Sequence, residues 1–587
     1  MRKTKIISTI GPKTNSLEAI KKIILSGADA IRLNFSHDSR EKHADTARRV
    51  MQAREELGIP TAIILDTKGP EIRTSVLAGG EDVELVAGST FTLTTDEIEG
   101  DATKVSVTYQ DLPKDLKEGA RVLIDDGLIE LVVKSINGND VVTEVINGGL
   151  LGERKGVNLP DVFVNLPALT EKDIADITLG AEVGFDFIAA SFIRCAADVI
   201  EIRKLLEKVG GSNIRIISKI ENRDGVDNID EILQVTDAIM VARGDLGVEI
   251  PPEEVPIVQK MLIRKCNELG KMVVTATQML ESMIKNPRPT RAEASDVANA
   301  IFDGTSAIML SGETAKGDYP YESIKMMVSI AEMVEKTDEL YNMTYDDSLI
   351  NCMTTAISLA TCQAAKGLDA TAIITATKSG HTVRALSKFK PKAPIVACTP
   401  DKKTQYQLNL IWGCKPCLMS VDAGATTDEV FAATIATAEK EGIVKKGDAV
   451  VITAGVPIGG AGTTNILKVQ YVGDILSSGK GICDGVAVGT ARVITEIDEA
   501  SKNFTKGDVL IAHRTDDTYL PLMKLASAIV VEDHTKAENN HAVKVGKTIG
   551  VPVVYGAGIV TQAVENGLSI TVDSKKGLVY SGVVTPQ

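Results

Sequence analysis

Eight short apolar runs, each ending on a residue able to do chemistry, constrain this chain more than any other feature. In order they are 5–10, 30–36, 62–68, 187–192, 215–221, 238–245, 272–278 and 307–313. Runs this short and this rich in β-branched residues are expected as strands buried on both faces, as in a parallel sheet. Most are followed by an amphipathic helical stretch. Eight such β-then-α units predict an α/β fold built on a (β/α)8 TIM barrel, whose active site lies at the C-terminal ends of its strands. Asn34, Ser36, Asp66, Lys219, Glu221, Asp245 and Thr277 all fall at those ends.

At 587 residues the chain is too long for one core, and its length is expected to divide into roughly four domains. A formal net charge of −15 argues against a general binder of nucleic acid or anionic membrane. It leaves an anionic small molecule possible, because local Lys and Arg decide that. No stretch approaches a membrane span. The basic start, Met1-Arg-Lys-Thr-Lys5, is followed by an apolar run that stops at Gly11-Pro12, too short for a signal sequence. A cytoplasmic protein is expected. Eight cysteines in so long a chain make no disulfide framework. Cys414-Lys-Pro-Cys417 has the spacing of a thioredoxin-type motif, but Leu418-Met-Ser420 and Asp422-Ala-Gly424 behind it read as loop or strand rather than the helix that motif needs.

The first barrel segment is expected over 1–70 and resumes over 168–345. Between them, 71–167 changes to short alternating runs with turns at Asp125-Asp-Gly127 and Asn137-Gly-Asn139, which predicts an inserted all-β lid domain. From 346 to 473 strands and helices alternate afresh, as in an open doubly wound α/β domain. A Gly-rich joint, Ser477-Ser-Gly-Lys-Gly481, then leads into a last small α/β domain over 474–587.

Glu221 and Asp245 end neighbouring barrel runs. Two carboxylates converging with room for substrate oxygens and water suit Mg2+ or Mn2+, although each alone reads as a helix cap. Lys219 shares a strand face with Glu221, two residues on. A cation beside a metal suits the stabilisation of a phosphoryl group in transit; a salt bridge in the barrel mouth is the plainer alternative. Gly244 allows close backbone approach to a ligand, and Thr277 offers a hydroxyl or merely satisfies local backbone. Asn34, Ser36, Asp66 and Thr67 supply oxygens fit for a monovalent cation. Arg32 and Arg73 are planar forks suited to phosphate or to structural ion pairs, and Lys155 sits near the return point of the insert.

Ile31-Arg-Leu-Asn-Phe-Ser-His37, Leu65-Asp-Thr-Lys-Gly-Pro-Glu-Ile-Arg73, Ile217-Ser-Lys-Ile-Glu-Asn222, Val241-Ala-Arg-Gly-Asp-Leu-Gly247 and Ala276-Thr-Gln-Met-Leu-Glu-Ser282 resemble the pyruvate kinase family, in order and over residues 1 to about 473. The resemblance implies transfer of a phosphoryl group from phosphoenolpyruvate to ADP, with Lys219 stabilising it and Glu221 and Asp245 holding the divalent metal. It implies that backbone near Gly244 holds substrate with Thr277, which lies near the point of enolpyruvate protonation. It gives Asn34, Ser36, Asp66 and Thr67 as K+ ligands, with Glu71 in the place of the acidic residue of K+-dependent members. Arg32, Asn34, His37, Arg73 and Lys155 then contact substrate or nucleotide, and a homotetramer is implied.

Thr375–Thr382, with Thr377, Ser379, Gly380, His381 and Thr382, runs from a strand into a helix, a geometry suited to anions. It and the Gly-rich loop 455–465 read either as plain loops or, by the resemblance, as the site of a phosphorylated effector. The tail resembles the swivelling phosphohistidine domain of phosphoenolpyruvate-using enzymes. That family's Thr-Ser-His-Ala is replaced by Asn539-Asn540-His541-Ala542, so a structural or regulatory module is expected rather than a phosphocarrier. Two rivals to a pyruvate kinase stand: a barrel lyase using the same metal, which would not need Arg73, Lys155 or a lid, and a silent metabolite sensor, which would not need Lys219, Glu221 and Asp245.

Overall fold

The computed structural model describes residues 1–162, 164–341, 352–422, 424–455, 464–473, 475–497 and 503–584. The eight runs become the strands Lys5–Ile10, Ala30–Asn34, Ala62–Asp66, Phe187–Ala190, Arg215–Ile220, Ala238–Ala242, Met272–Ala276 and Ala307–Leu310, closed into one barrel. Every neighbouring pair is parallel. Alternate residues of each strand point to opposite faces. Ala30, Ile64, Ile217, Met240 and Val274 fill the barrel interior. Ile31, Ile63, Leu65, Ile216 and Ile239 pack outward beneath the helices. That alternation carries Arg32, Asp66 and Lys219 onto the inner face, each two residues beyond an interior apolar side chain. Several of the surrounding helices start on side-chain caps, with capping boxes at Thr170/Asp173 and Thr290/Glu293 that satisfy otherwise orphaned N–H groups.

The insert forms a six-stranded sheet and a two-stranded one, with a separate apolar core that includes Phe91, Leu93, Val122, Leu131 and Val141. Its turns fall where Asp125, Asp126 and Gly127 take positive φ (55°, 54°, 84°) and where Gly138 does. From Met353 the chain alternates helix and strand through Ala372–Ala376, His381–Ser387, Ile395–Thr399, Lys402–Leu408, Cys414–Leu418, Thr427–Lys440 and Ala449–Ala454. Cys414–Leu418 is a strand with both cysteines buried and neither in a disulfide, so the CxxC spacing belongs to packing.

By internal contacts the chain divides into two compact units: Met1–Leu359 with Thr375–Ser420 and Gly455–Asn465, and Ala360–Ile374 with Val421–Ala454 and Ile466–Gln587. Within the second, the tail forms an eight-stranded sheet whose two ends are Ile475–Ser478 and Lys480–Ile482. The expected Gly-rich joint is therefore corrected: it is strand, not linker. Its glycines serve close approach, because a Cβ on Gly481 would lie 1.5 Å from the Ser574 carbonyl oxygen, and one on Gly479 2.5 Å from that of Tyr555. Among the described residues no helix is long and apolar enough to cross a membrane.

Candidate active site

Five neighbouring barrel strands deliver the charged residues to one mouth. Strand order runs from Ala62–Asp66 through Phe187–Ala190, Arg215–Ile220 and Ala238–Ala242 to Met272–Ala276. Asp66, Ser191, Lys219 with Glu221, Asp245 and Thr277 sit at or just past those five C-terminal ends.

Lys219 is the hub. Its Nζ lies 2.9 Å from Glu221 Oε1 and 3.2 Å from Asp66 Oδ1, and donates to Ser191 Oγ at 2.8 Å. Burial alone would lower its pKa, yet the carboxylates of Asp66 and Glu221 hold it above its ordinary value, so the amine stays charged. Asp66 accepts from Arg32 Nε at 2.5 Å, and Arg32 Nη1 donates to Thr9 Oγ1 at 3.0 Å. Burial would raise Asp66, but Arg32 and Lys219 outweigh it and keep the carboxyl ionised. Glu221 is buried and also accepts from the Phe192 N–H at 2.6 Å. Burial, with Asp245 close by, drives its pKa up despite Lys219, the mark of two carboxylates short of positive charge. That donor pair fits a divalent cation, which would supply the missing charge.

Asn34 pairs in register with Asp66, and its Oδ1 accepts from the Ser36 N–H at 3.1 Å. Thr67 is buried beside Ser191. These neutral oxygens with one carboxylate are a hard donor set of low charge, fit for a monovalent ion. On the opposite side Thr277 Oγ1 accepts from the Gly244 N–H at 2.8 Å and donates to the Ala276 carbonyl.

Arg73, Lys155 and Asp245 line one cavity of about 370 Å³ between insert and barrel. There Arg73 Nε donates to Glu71 Oε2 at 2.6 Å, and Lys155 Nζ lies 3.0 Å from Asp125. His37 is apart from this network: it is exposed, and its carbonyl is what accepts from His43 Nε2 at 2.6 Å. It flanks a second cavity of about 440 Å³ lined by Pro12, Asp38, Lys42, His43 and Arg49.

Two residues of the mouth escape a reading of the sequence alone. Ser191 sits in the run 187–192, and nothing in the residues around it assigns it a partner. Arg243 looks like a surface cation, yet Nη2 donates to the Thr277 carbonyl at 2.8 Å, Nε to that of Ala276 at 3.3 Å, and Nη1 to Asp296 Oδ1 at 2.7 Å. Thr277 and Gln278 adopt φ of 70° and 53°, which costs any non-glycine residue and a β-branched one most. The only hint in the sequence is the position of Arg243 directly before Gly244-Asp245.

The Thr375–Thr382 segment does run from strand into helix. Gly380, at φ 76°, donates its N–H to Thr377 Oγ1, Arg384 donates to the Ser379 carbonyl at 3.1 Å, and Thr382 hydrogen-bonds Thr464. His381 opens the helix, its pKa lowered by burial. Most of the loop 455–465 lies outside the described residues. In the tail, His541 Nδ1 is 2.9 Å from Thr515 Oγ1 and Nε2 is 3.3 Å from Asp517 Oδ1.

Residues 1–324 match the model of the pyruvate kinase barrel domain, 355–470 that of the pyruvate kinase alpha/beta domain, and 504–577 that of the mobile domain of PEP-utilising enzymes. Full-length relatives include the pyruvate kinases of Geobacillus stearothermophilus (47% identical), Bacillus licheniformis (48%) and Sporosarcina psychrophila (46%), each alignment covering 99% of both chains. A charged lysine set between buried carboxylates at the barrel mouth, together with these matches along the whole length, places the chain in the pyruvate kinase family of phosphotransferases.

Proposed function

We propose that the chain transfers the phosphoryl group of phosphoenolpyruvate to ADP at this mouth, giving ATP and pyruvate in glycolysis. The observation that carries the residue assignments is the Lys219 ammonium, kept charged in a buried position between Asp66 and Glu221. Glu221 and Asp245 would hold Mg2+ or Mn2+, and Asn34, Ser36, Asp66 and Thr67 would hold K+. The divalent ion, when bound, offsets negative charge on substrate oxygens.

The chain's own groups do the rest. The Lys219 ammonium, with its three N–H donors at the mouth, would follow the phosphoryl group from donor to acceptor oxygen. Arg32, buried against Asp66, and Arg73 and Lys155, in the cavity beneath the insert, neutralise phosphates of substrate and nucleotide, and by the family resemblance Asn34 and His37 also contact the nucleotide. Gly244 and Thr277 hold the substrate where its carbon is protonated. The insert excludes water from the transfer. Thr377, Ser379, Gly380, His381 and Thr382 form the effector loop of a homotetrameric, cytoplasmic, allosterically regulated enzyme, and the tail acts as a structural or regulatory module.

The test is a lactate-dehydrogenase-coupled assay with phosphoenolpyruvate, ADP and Mg2+, in K+ and then in a non-substituting cation. Turnover should collapse without K+. Lys219→Met should lower kcat by on the order of 10²–10³-fold or more while phosphoenolpyruvate binding largely survives. Turnover close to wild type in that variant would refute the role of Lys219.

A further inference from the structure

Lys219 is gripped from a side that the proposed chemistry leaves unused. Its Nζ donates to Ser191 Oγ at 2.8 Å, the shortest of its three contacts beside Glu221 at 2.9 Å and Asp66 at 3.2 Å. The Ser191 hydroxyl in turn donates to the Thr67 carbonyl at 2.7 Å, and the Ser191 N–H donates to Thr67 Oγ1 at 3.1 Å. Thr67 is anchored by its own N–H to the Ala189 carbonyl at 3.0 Å. Ser191 and Thr67 are both buried, 4% and 3% exposed, so water does not compete for these bonds.

A buried serine ordinarily satisfies a nearby backbone group and nothing more. Ser191 does that with its hydrogen, and uses its oxygen on the ammonium. An ammonium has three N–H donors, and here each has a partner. Two partners are carboxylates that respond to any arriving cation. Ser191 is neutral, and its grip is the one that charge leaves unchanged.

The serine is itself held in place. Its strand, Phe187–Ala190, lies between the strand leading to Thr67 and the strand bearing Lys219. Gly69, at φ 74°, presses so close that a Cβ there would stand 2.7 Å from Ser191 Cβ and 2.9 Å from the Phe192 ring. Phe192 takes φ 55°, uncommon for a bulky residue, and in that turn gives its N–H to Glu221.

We infer that Ser191 is a positioning residue for phosphoryl transfer, aiming Lys219 and tying that aim to Thr67 at the monovalent-ion region. The inference rests on the assignment of Lys219 to the transfer step. Ser191 holds the Thr67 carbonyl through its hydroxyl and Thr67 Oγ1 through its N–H, so removing the hydroxyl loosens that region together with the aim of Lys219.

The experiment is Ser191→Ala in the full chain, with Lys219→Met measured alongside. In Ser191→Ala, kcat is expected to fall by on the order of 10–10²-fold, as for a small misplacement of a reacting group. Phosphoenolpyruvate affinity, read by calorimetry without ADP, should change by less than about two-fold, and half-maximal activation should need several-fold more K+. Thermal melting should keep the wild-type profile. If kcat stays within about two-fold of wild type, or if kcat, affinity and melting temperature all fall together, the positioning role is overturned. An inactive Lys219→Met beside a fully active Ser191→Ala would refute this inference alone, whereas an active Lys219→Met would refute the assignment beneath it.

Discussion

Replacing Arg243 with Met should cripple turnover while leaving the barrel standing. Thr277 and Gln278 sit at φ 70° and 53°, and each such residue costs about 1–3 kcal/mol. What holds them is the Arg243 guanidinium, bonded to the Thr277 carbonyl at 2.8 Å and the Ala276 carbonyl at 3.3 Å and fixed from behind by Asp296. Hydrogen bonds from a charged donor contribute about 1.5–3 kcal/mol each, so the grip and the strain are of similar size. A thioether side chain offers neither bond. If relaxation recovers about half of the loss, roughly 1.5–3 kcal/mol of preference for the working conformation is gone, which corresponds to about 10–10²-fold in kcat. Thr277 Oγ1 would then leave the Gly244 N–H, which it now meets at 2.8 Å. The assay is steady-state turnover with phosphoenolpyruvate and ADP varied in turn, beside a circular dichroism melt. Asp296→Asn should be milder, since both carbonyl bonds remain. Unchanged kcat and KM in Arg243→Met would show that the strained pair supports itself, and the reasoning would fail.

Two further predictions concern stability. Lys390 is buried against the Trp412 ring at 4.6 Å, and burial pulls its pKa down to about 7 from 10.5. A lowered lysine pKa is a penalty, full below pH 7 where folded and unfolded chains are both protonated, and fading as the pH rises towards 10.5. Lys390→Met should therefore stabilise the protein at neutral pH by up to a few kcal/mol, with the gap to wild type narrowing by about 1.4 kcal/mol per pH unit between about 7.5 and 9.5. Melting curves across that range check it, and a gap constant with pH would refute it. Gly481→Ala should destabilise the tail sheet by about 1–3 kcal/mol or more, because its Cβ would overlap the Ser574 carbonyl oxygen. Hydrogen exchange localised to residues 475–584 reads that loss, and a wild-type exchange pattern would contradict it.

The barrel was legible because strands buried on both faces leave a plain apolar signature, and because each ends on a polar residue that the interior cannot hold. Asp66, Lys219, Glu221 and Asp245 could be named for the same reason: period-two alternation puts 64 and 66, or 217 and 219, on one face whatever the tertiary detail. The glycines at 479 and 481 misled, because flexibility and close packing ask for the same residue, and only the neighbouring Tyr555 and Ser574 carbonyls distinguish the two. His37 had only the resemblance to give it a role, since a loop residue has no periodicity to orient it, and it stands exposed.

Local order in the chain thus determined the barrel, its inner face and the charges at its mouth. Tertiary structure decided their partners: which strands close side by side, that Ser191 stands between Thr67 and Lys219, and that Arg243 turns back onto the Thr277 carbonyl. Such contacts join residues 28 to 124 positions apart. Alternation acts along a strand, whereas hydrogen bonding at the mouth acts across strands, and closure of the barrel alone determines which strand ends meet.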